Sequence, residues 1–281
     1  MILVFGSTGQ LARELQLLDA DLVFLSREQA DLSHPEECAK AIIRHQPEAV
    51  INTAAFTNVD EAEAREDLAT IVNGAAPTVM AETCAAVGLP FLNVSSDYVF
   101  GGSGREPWTA EAEVSPLNAY GRSKAMGEEG VRNAGGACVN LRTSWVFSVH
   151  GRNFLKSMLA LGKQRDSLEI VADQIGGPTP ASDLAIACLV IATKLIEDPS
   201  LAGTYHFSGE PDVSWADFAR AIFEECGHDV EVIDIATSDY PRPAERPLNS
   251  RLDCSGLSAF GLERPHWRKS VRHIIQSRGK Q

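Results

Sequence analysis

An α/β fold is predicted, a Rossmann-type doubly wound parallel sheet with a smaller C-terminal substrate lobe. Three observations predict it. Short apolar runs alternate with helical patterns through residues 1–149. These runs are nearly continuous rather than alternating in polarity, which suits strands buried on both faces of a parallel sheet. A glycine-bearing turn, "GSTGQLA" (6–12), stands between the first strand and the first helix. Right-handed strand–helix crossovers then give the doubly wound topology.

Each element follows in order. "MILVF" (1–5) reads as a strand and 10–18 as a helix. "LVFL" (22–25) is a strand, and 35–45 is a helix opened by Pro35, whose fixed φ suits a first helical position. "AVINTA" (49–54) is a strand, 66–87 is mostly helical, and "PFLNVS" (90–95) is the fourth strand. Residues 117–134 read as a helix and "CVNLRTSWVF" (138–147) as one strand. Beyond about 150 the pattern changes. Helices are expected at 153–163, 181–197, 214–226 and 267–278, and short strands at 168–172, 204–208 and 230–235. "TSDYPRPAERPLNSR" (237–251), rich in Pro and Arg, reads as a loop. The expected division is a dinucleotide-binding domain at 1–149 and a substrate lobe at 150–281, with elements near 168–208 returning to the first domain.

Bulk composition narrows the class of function. The chain has 281 residues, 44% hydrophobic and 22% charged, as in ordinary globular proteins. Its net charge of −13 argues against a nucleic-acid partner, whose phosphates it would repel. No apolar run is long enough for a membrane span. The start, "MILVFGSTG", reads as a buried strand rather than a signal peptide. Cys38, Cys84, Cys138, Cys188, Cys226 and Cys254 are scattered and form no C-x-x-C pair. Small core residues in a reducing, cytoplasmic setting are expected, with no zinc cluster or disulfide framework. The seven histidines show no close ligand spacing, so no metal site is assigned.

The glycine turn is the first candidate site. Gly6 permits the tight turn, and Gly9 lets the backbone approach a phosphate at a helix N-terminus. The third small position holds Ala12. Where an NAD-specific site usually has an acid at the end of the second strand, this chain has Ser26 and Arg27. A guanidinium suits a 2′-phosphate, so NADPH is favoured over NADH. Asp31 and Leu32 lie where an adenine ring could rest. Ala54 and Ala55, after the third strand, would let a cofactor lie across the carboxyl edge of the sheet.

The chemistry is expected at "NAYGRSK" (118–124). Tyr120 and Lys124 are four residues apart, hence on one helix face. An ammonium beside a phenol favours the phenolate, and such a tyrosine can protonate a carbonyl oxygen as hydride reaches the carbon. Lys124 could also hold the nicotinamide ribose. "VSSDYVF" (94–100) follows the fourth strand at the same edge. Ser96 could orient the substrate oxygen and Asp97 could touch the substrate, while Tyr98 reads as structural. Turn capping is the commoner role for serines there.

These features together resemble the extended short-chain dehydrogenase/reductase family. "GSTGQL", "SSDYVFGG", "PLNAYGRSKAMGE", "RTSWVF", "DQIGGPT", "TYHFSG" and "RPLNSRLD" narrow the resemblance to its dTDP-4-dehydrorhamnose reductases. The match runs in order through almost the whole chain. It implies reduction of the 4-keto group of dTDP-4-dehydro-β-L-rhamnose by NADPH, with Tyr120 as proton donor and Lys124 as its partner. It implies that Gly9, Gln10, Leu11, Ser26, Asp31, Leu32, Ala55, Phe56 and Thr57 line the cofactor. It implies that Ser96, Asp97 and Trp145 meet the sugar, and that Arg246, Asn249 and Arg251 are candidates for the nucleotide end. Ser96 stands where the family often has Thr, Ala12 where it often has Gly, and Ser26 where many members have Asp nearby. Some members bind Mg²⁺ at a dimer contact, so a homodimer is within the expectation; no acidic cluster is assigned to Mg²⁺ here. Two rivals stand beside this reading. One is another nucleotide-sugar ketoreductase, epimerase or dehydratase, although Tyr98 after Asp97 replaces the Asp–Glu pair of dehydratases. The other is a non-catalytic, NADP-binding regulatory subunit like that of methionine adenosyltransferase, which the intact Ser96, Tyr120 and Lys124 argue against.

Overall fold

The computed structural model describes residues 1–278. In the first half the elements are β1 (Ile2–Phe5), α1 (Gln10–Leu15), β2 (Leu22–Leu25), α2 (Pro35–His45), β3 (Ala49–Asn52), α3 (Val59–Ala64), α4 (Glu66–Thr70), a π-helical turn (Ile71–Ala75), α5 (Ala76–Ala86), β4 (Phe91–Ser96), α6 (Ala119–Ala134) and β5 (Cys138–Thr143). The second half adds β6 (Val146–Phe147), α7 (Phe154–Leu161), β7 (Ser167–Val171), β8 (Ile175–Gly176), β9 (Thr179–Pro180), α8 (Ala181–Glu197), β10 (Gly203–Phe207), β11 (Val213–Ser214), α9 (Trp215–Cys226), β12 (Glu231–Ile235), β13 (Asn249–Ser250) and α10 (Trp267–Arg278).

Six strands form the main sheet in the order β2-β1-β3-β4-β5-β10. Every pairing within it is parallel. The chain leaves β1 towards one edge and returns to the other side at β3, so the topological switch point lies between them. Ligands bind outside the carboxyl ends of strands at such a point. The apolar faces of β1, β3, β4 and β5 are buried under α1 and α8 on one side and under α2 and α5 on the other. Within 168–208, α8 and β10 join this sheet, whereas β7 pairs with β12 outside it. A separate aromatic core joins Phe147 and Phe218 to Trp267 beneath the second lobe.

The structure departs from the sequence reading at four places, each for a local reason. The expected single strand 138–147 is broken. Trp145 takes φ +50°, an unusual value for a bulky residue, and Ser144 Oγ donates to the Gly177 carbonyl at 3.0 Å. Residues 146–147 then pair with β9 instead. The helical stretch 66–87 contains the π-helical turn, and 59–64 forms a further short helix capped by Asn58, which accepts from the Glu61 N–H. The loop 237–251 ends in β13, paired with β8.

Glycines explain how α6 sits against this π-helical turn. A Cβ on Gly127 would stand 2.1 Å from the Asn73 carbonyl oxygen, and one on Gly130 would stand 1.8 Å from Thr78 Oγ1. Only glycine allows helices to approach that closely. Asn118 caps α6 by accepting from the Gly121 N–H at 2.8 Å, and its amide donates to the Glu245 carbonyl at 2.8 Å. One residue thus starts the helix and holds the late loop over it.

Candidate active site

The first turn is built for close approach. Gly6 has φ +99°, and a Cβ there would meet Thr53 Oγ1 at 2.8 Å. Gly9 precedes α1 with extended backbone and no side-chain cap, and a Cβ there would meet none of the described residues within 4 Å. Open space at the helix N-terminus fits a phosphate-bearing cofactor. Gln10 is already engaged: its amide donates to the Val146 carbonyl and accepts from Ser148 Oγ and Asn153 Nδ2. It therefore ties the glycine turn to the loop before α7. Leu11 is buried against the sheet.

At the end of β2, the Ser26 N–H donates to Gln29. Arg27 is largely exposed and pairs with Asp31 at 3.0 Å, while Leu32 is buried. Arg27 stands at the predicted edge, already partnered by a carboxylate. After β3, the Ala54 N–H donates to Asn52 Oδ1 at 3.2 Å. Phe56 is gripped through both backbone groups by Asn73, which accepts from its N–H at 2.8 Å and donates to its carbonyl at 3.0 Å. Ala55 lies between these two fixed points, and Thr57 is exposed.

Ser96, Asp97, Tyr120 and Lys124 meet at the carboxyl end of β4. Ser96 Oγ donates to Asp97 Oδ1 at 3.0 Å and accepts from the Tyr98 N–H at 3.2 Å. The Tyr120 phenol lies near enough to Ser96 to feel its hydroxyl. Lys124 is buried, and its ammonium donates to the Val94 carbonyl at 2.9 Å. The tuning differs from the sequence expectation. Burial pushes Tyr120 up to about 12; the Ser96 hydroxyl pulls it back, and Asp97 adds to the rise. The Lys124 ammonium is spent on a β4 carbonyl and is not among the groups that lower the phenol. Lys124 is itself held down at about 8 by burial, against the opposing charge of Glu128.

Beside this group opens a cleft of ≈ 1160 Å³, lined by Tyr98, Asp60, Trp215, Tyr240, Arg242 and Arg246, among others. Tyr98, expected to be structural, both lines the cleft and meets the Tyr120 ring edge-on at 5.4 Å. Trp145 stacks on Trp215 at 3.6 Å. Arg246 pairs with Asp60 at 2.8 Å. Asn249 and Arg251 are placed differently. The Asn249 amide donates to the Ser103 and Glu106 carbonyls, and its oxygen accepts from the Arg251 backbone and guanidinium. Asn249 holds the 103–106 loop, and Arg251 is fixed against Asn249; neither is among the residues that line this cleft. A smaller cleft of ≈ 590 Å³ by Glu106, Asp253 and Arg264 contains none of the Ser96–Tyr120–Lys124 group.

Sequence reasoning missed a ladder of buried amides. Asn52 donates to Asn93 at 3.1 Å, Asn93 to Asn140 at 3.0 Å, and Asn140 to the Glu128 carbonyl at 3.1 Å. The three asparagines are in register on adjacent strands. Each was legible as a lone polar residue in an apolar run, "AVINTA", "PFLNVS" and "CVNLRT". Asn73 was missed too; its signal is a lone Asn in an apolar helical stretch. Together they anchor the loop after β3 to α6.

This sheet order, with a glycine turn at the switch point and Ser, Tyr and Lys gathered at its edge, is the architecture of a short-chain dehydrogenase/reductase. Comparison makes the assignment narrower. The model of the RmlD substrate binding domain family matches residues 1–279. The chain is 39% identical to the dTDP-4-dehydrorhamnose reductase of Sinorhizobium fredii, over 97% of this chain and 95% of that protein. It superposes on the dTDP-4-dehydrorhamnose reductase of Clostridium acetobutylicum with a TM-score of 0.91, at 36% identity and 99% coverage of both chains. The TM-score is also 0.91 to the Bacillus anthracis dTDP-4-dehydrorhamnose reductase, solved in complex with NADP, at 32% identity and 98% coverage of both. The chain belongs to the RmlD substrate binding domain family.

Proposed function

We propose that this protein reduces the 4-keto group of dTDP-4-dehydro-β-L-rhamnose to the alcohol, using NADPH. The observation that carries this reading is the convergence of Ser96, Tyr120 and Lys124 at the carboxyl edge of the sheet, the edge that also holds the glycine turn, next to the cleft that Tyr98 lines. The relatives' activity and the NADP bound to the Bacillus anthracis structure support it.

On this reading, NADPH held at the glycine turn would supply the hydride, two electrons and one hydrogen nucleus, that the carbonyl carbon receives. Tyr120 donates its phenolic proton to the oxygen, so ketone, hydride and proton balance as alcohol, and the phenolate regains a proton from solvent. Lys124, displaced from the Val94 carbonyl, would hold the ribose hydroxyls and stabilise the phenolate. Ser96 donates to the carbonyl oxygen and orients it. Gly6, Gly9, Gln10 and Leu11 would hold the cofactor's phosphates; Ser26, Arg27, Asp31 and Leu32 would take its adenosine end; Ala54, Ala55, Phe56 and Thr57 would lie beneath it. Trp145 meets the sugar, Asp97 reaches it through the Ser96 hydroxyl, and Arg246, released from Asp60, supplies positive charge for the diphosphate of an otherwise acidic protein. Residues 1–149 are read as the dinucleotide-binding domain and 150–281 as the substrate lobe. Six free thiols, mostly buried, suit a cytoplasmic setting, and a homodimer is the proposed assembly. No described helix is long and apolar enough to cross a membrane.

The deciding experiment follows loss of reduced nicotinamide absorbance with dTDP-4-dehydro-β-L-rhamnose and NADPH, then NADH. Turnover favouring NADPH is expected. Cofactor binding without turnover of any keto sugar nucleotide would overturn the reading in favour of a non-catalytic subunit.

A second expectation tests the cofactor turn. Gly9→Val adds a side chain where nothing stands, at a backbone angle of φ −68° that valine accepts. Thermal unfolding should be unchanged. NADPH affinity, read by fluorescence titration, should fall at least tenfold, about 1.4 kcal/mol.

A further inference from the structure

A serine hydroxyl has one proton to give. In this structure Ser96 gives it to Asp97, and both side chains are buried. With Asp97 ionised, the Ser96 oxygen offers the substrate pocket only lone pairs. A ketone oxygen, which can only accept, gains nothing from it; an alcohol, which can donate, does. With Asp97 protonated the carboxyl can donate to Ser96, and the serine proton is free to turn towards a ketone. The second carboxylate oxygen, Asp97 Oδ2, is buried and has no hydrogen-bond partner among the described residues, so it is free to carry a proton.

We propose that Asp97 is a positioning residue that sets the direction of the Ser96 hydroxyl, its neutral form selecting the ketone and its ionised form the alcohol. This rests on the keto-sugar reduction proposed above.

The surroundings place the switch in an accessible range. Burial raises Asp97 to about 6, while the hydroxyls of Ser250 on β13 and Ser96 favour the carboxylate and hold it back. The titratable groups facing it are Tyr120 from α6 and Tyr98 on its own turn, both raised by burial and both neutral across the working range. Arg246 and Asp60, beyond Tyr98, pair with each other in the free protein, and Arg246 pairs with the diphosphate once the sugar nucleotide binds. The sign follows. Ketone binding requires a proton on Asp97, so KM for the keto sugar nucleotide rises as pH climbs above about 6, approaching tenfold per pH unit. The alcohol product prefers the carboxylate, so its inhibition constant falls as pH climbs through the same value and then levels. Opposite signs distinguish this from a general loss of structure.

The test measures KM for dTDP-4-dehydro-β-L-rhamnose and Ki for dTDP-β-L-rhamnose between pH 5 and 8. Wild type should show the two opposed dependences, and Asp97→Asn, which cannot titrate, should flatten both. Ser96→Thr keeps a hydroxyl and should keep them; Ser96→Ala should lose them, and this pair decides if Asp97→Asn does not fold. Wild-type turnover with KM and Ki moving in the same direction, or with both dependences intact in Asp97→Asn, overturns the inference alone. Absence of turnover of any keto sugar nucleotide overturns the proposed reduction and this inference with it.

Discussion

Tyr120→Phe is expected to lower kcat about 10²- to 10⁴-fold, the usual contribution of a positioned general acid, while NADPH binding stays close to wild type. The phenol is well suited to giving a proton at neutral pH. Burial holds it at about 12, so it remains protonated until charge develops on the substrate oxygen. Loss of one hydroxyl leaves the ring and its edge-on contact with Tyr98 in place, so the fold should not change. Single-turnover rates with bound NADPH separate chemistry from binding. A variant with near-normal rates would remove Tyr120 from the acid's role and turn attention to Tyr98, which lines the adjoining cleft.

The second large effect concerns stability. Glu128→Gln is expected to cost about 3–5 kcal/mol, because it leaves the Arg142 guanidinium charged and buried without a counter-charge. Arg142 is among the largest fully buried side chains, and it donates to Glu128 through Nε at 2.9 Å and Nη2 at 2.7 Å. Its third nitrogen donates to the Ala110 carbonyl at 3.0 Å, and the guanidinium lies over the Phe100 ring at 4.8 Å. Urea unfolding measures the loss. Replacing both partners by methionine should recover most of it, since two uncharged chains of similar volume avoid the desolvation of an ion pair. The pair joins α6 to β5 one turn beyond Lys124, so in Glu128→Gln the altered charge beside Lys124 should also disturb activity.

How far the sequence could be read depended on whether a feature was local. The strands of the first domain were legible because burial on both faces leaves little but Ile, Leu, Val, Phe and Ala, and the turn at residue 6 was legible because only glycine takes φ +99° comfortably. Tyr120 and Lys124 were legible because helix periodicity puts residues four apart on one face. What failed was non-local. The break at Trp145 answers to Gly177 and Trp215, distant in sequence and invisible to a strand pattern. The three asparagines of the ladder each look out of place until strand register puts them side by side. Asn249, drawn from a resemblance to the nucleotide end, also ties down residues 103–106, a contact between parts of the chain far apart in sequence.

The sequence by itself determined the fold class, the cofactor turn and which residue types stand ready for chemistry, because these rest on backbone sterics and on periodicities of 2 and 3.6 residues. Only the tertiary structure decided their state. It put Lys124 on a strand carbonyl rather than on the phenol, joined Asp97 to Ser96, and brought Asn118 of α6 to the loop at Glu245. Hydrogen-bond partners and burial set the charge and direction of a polar group, and both are properties of residues that the chain order keeps apart.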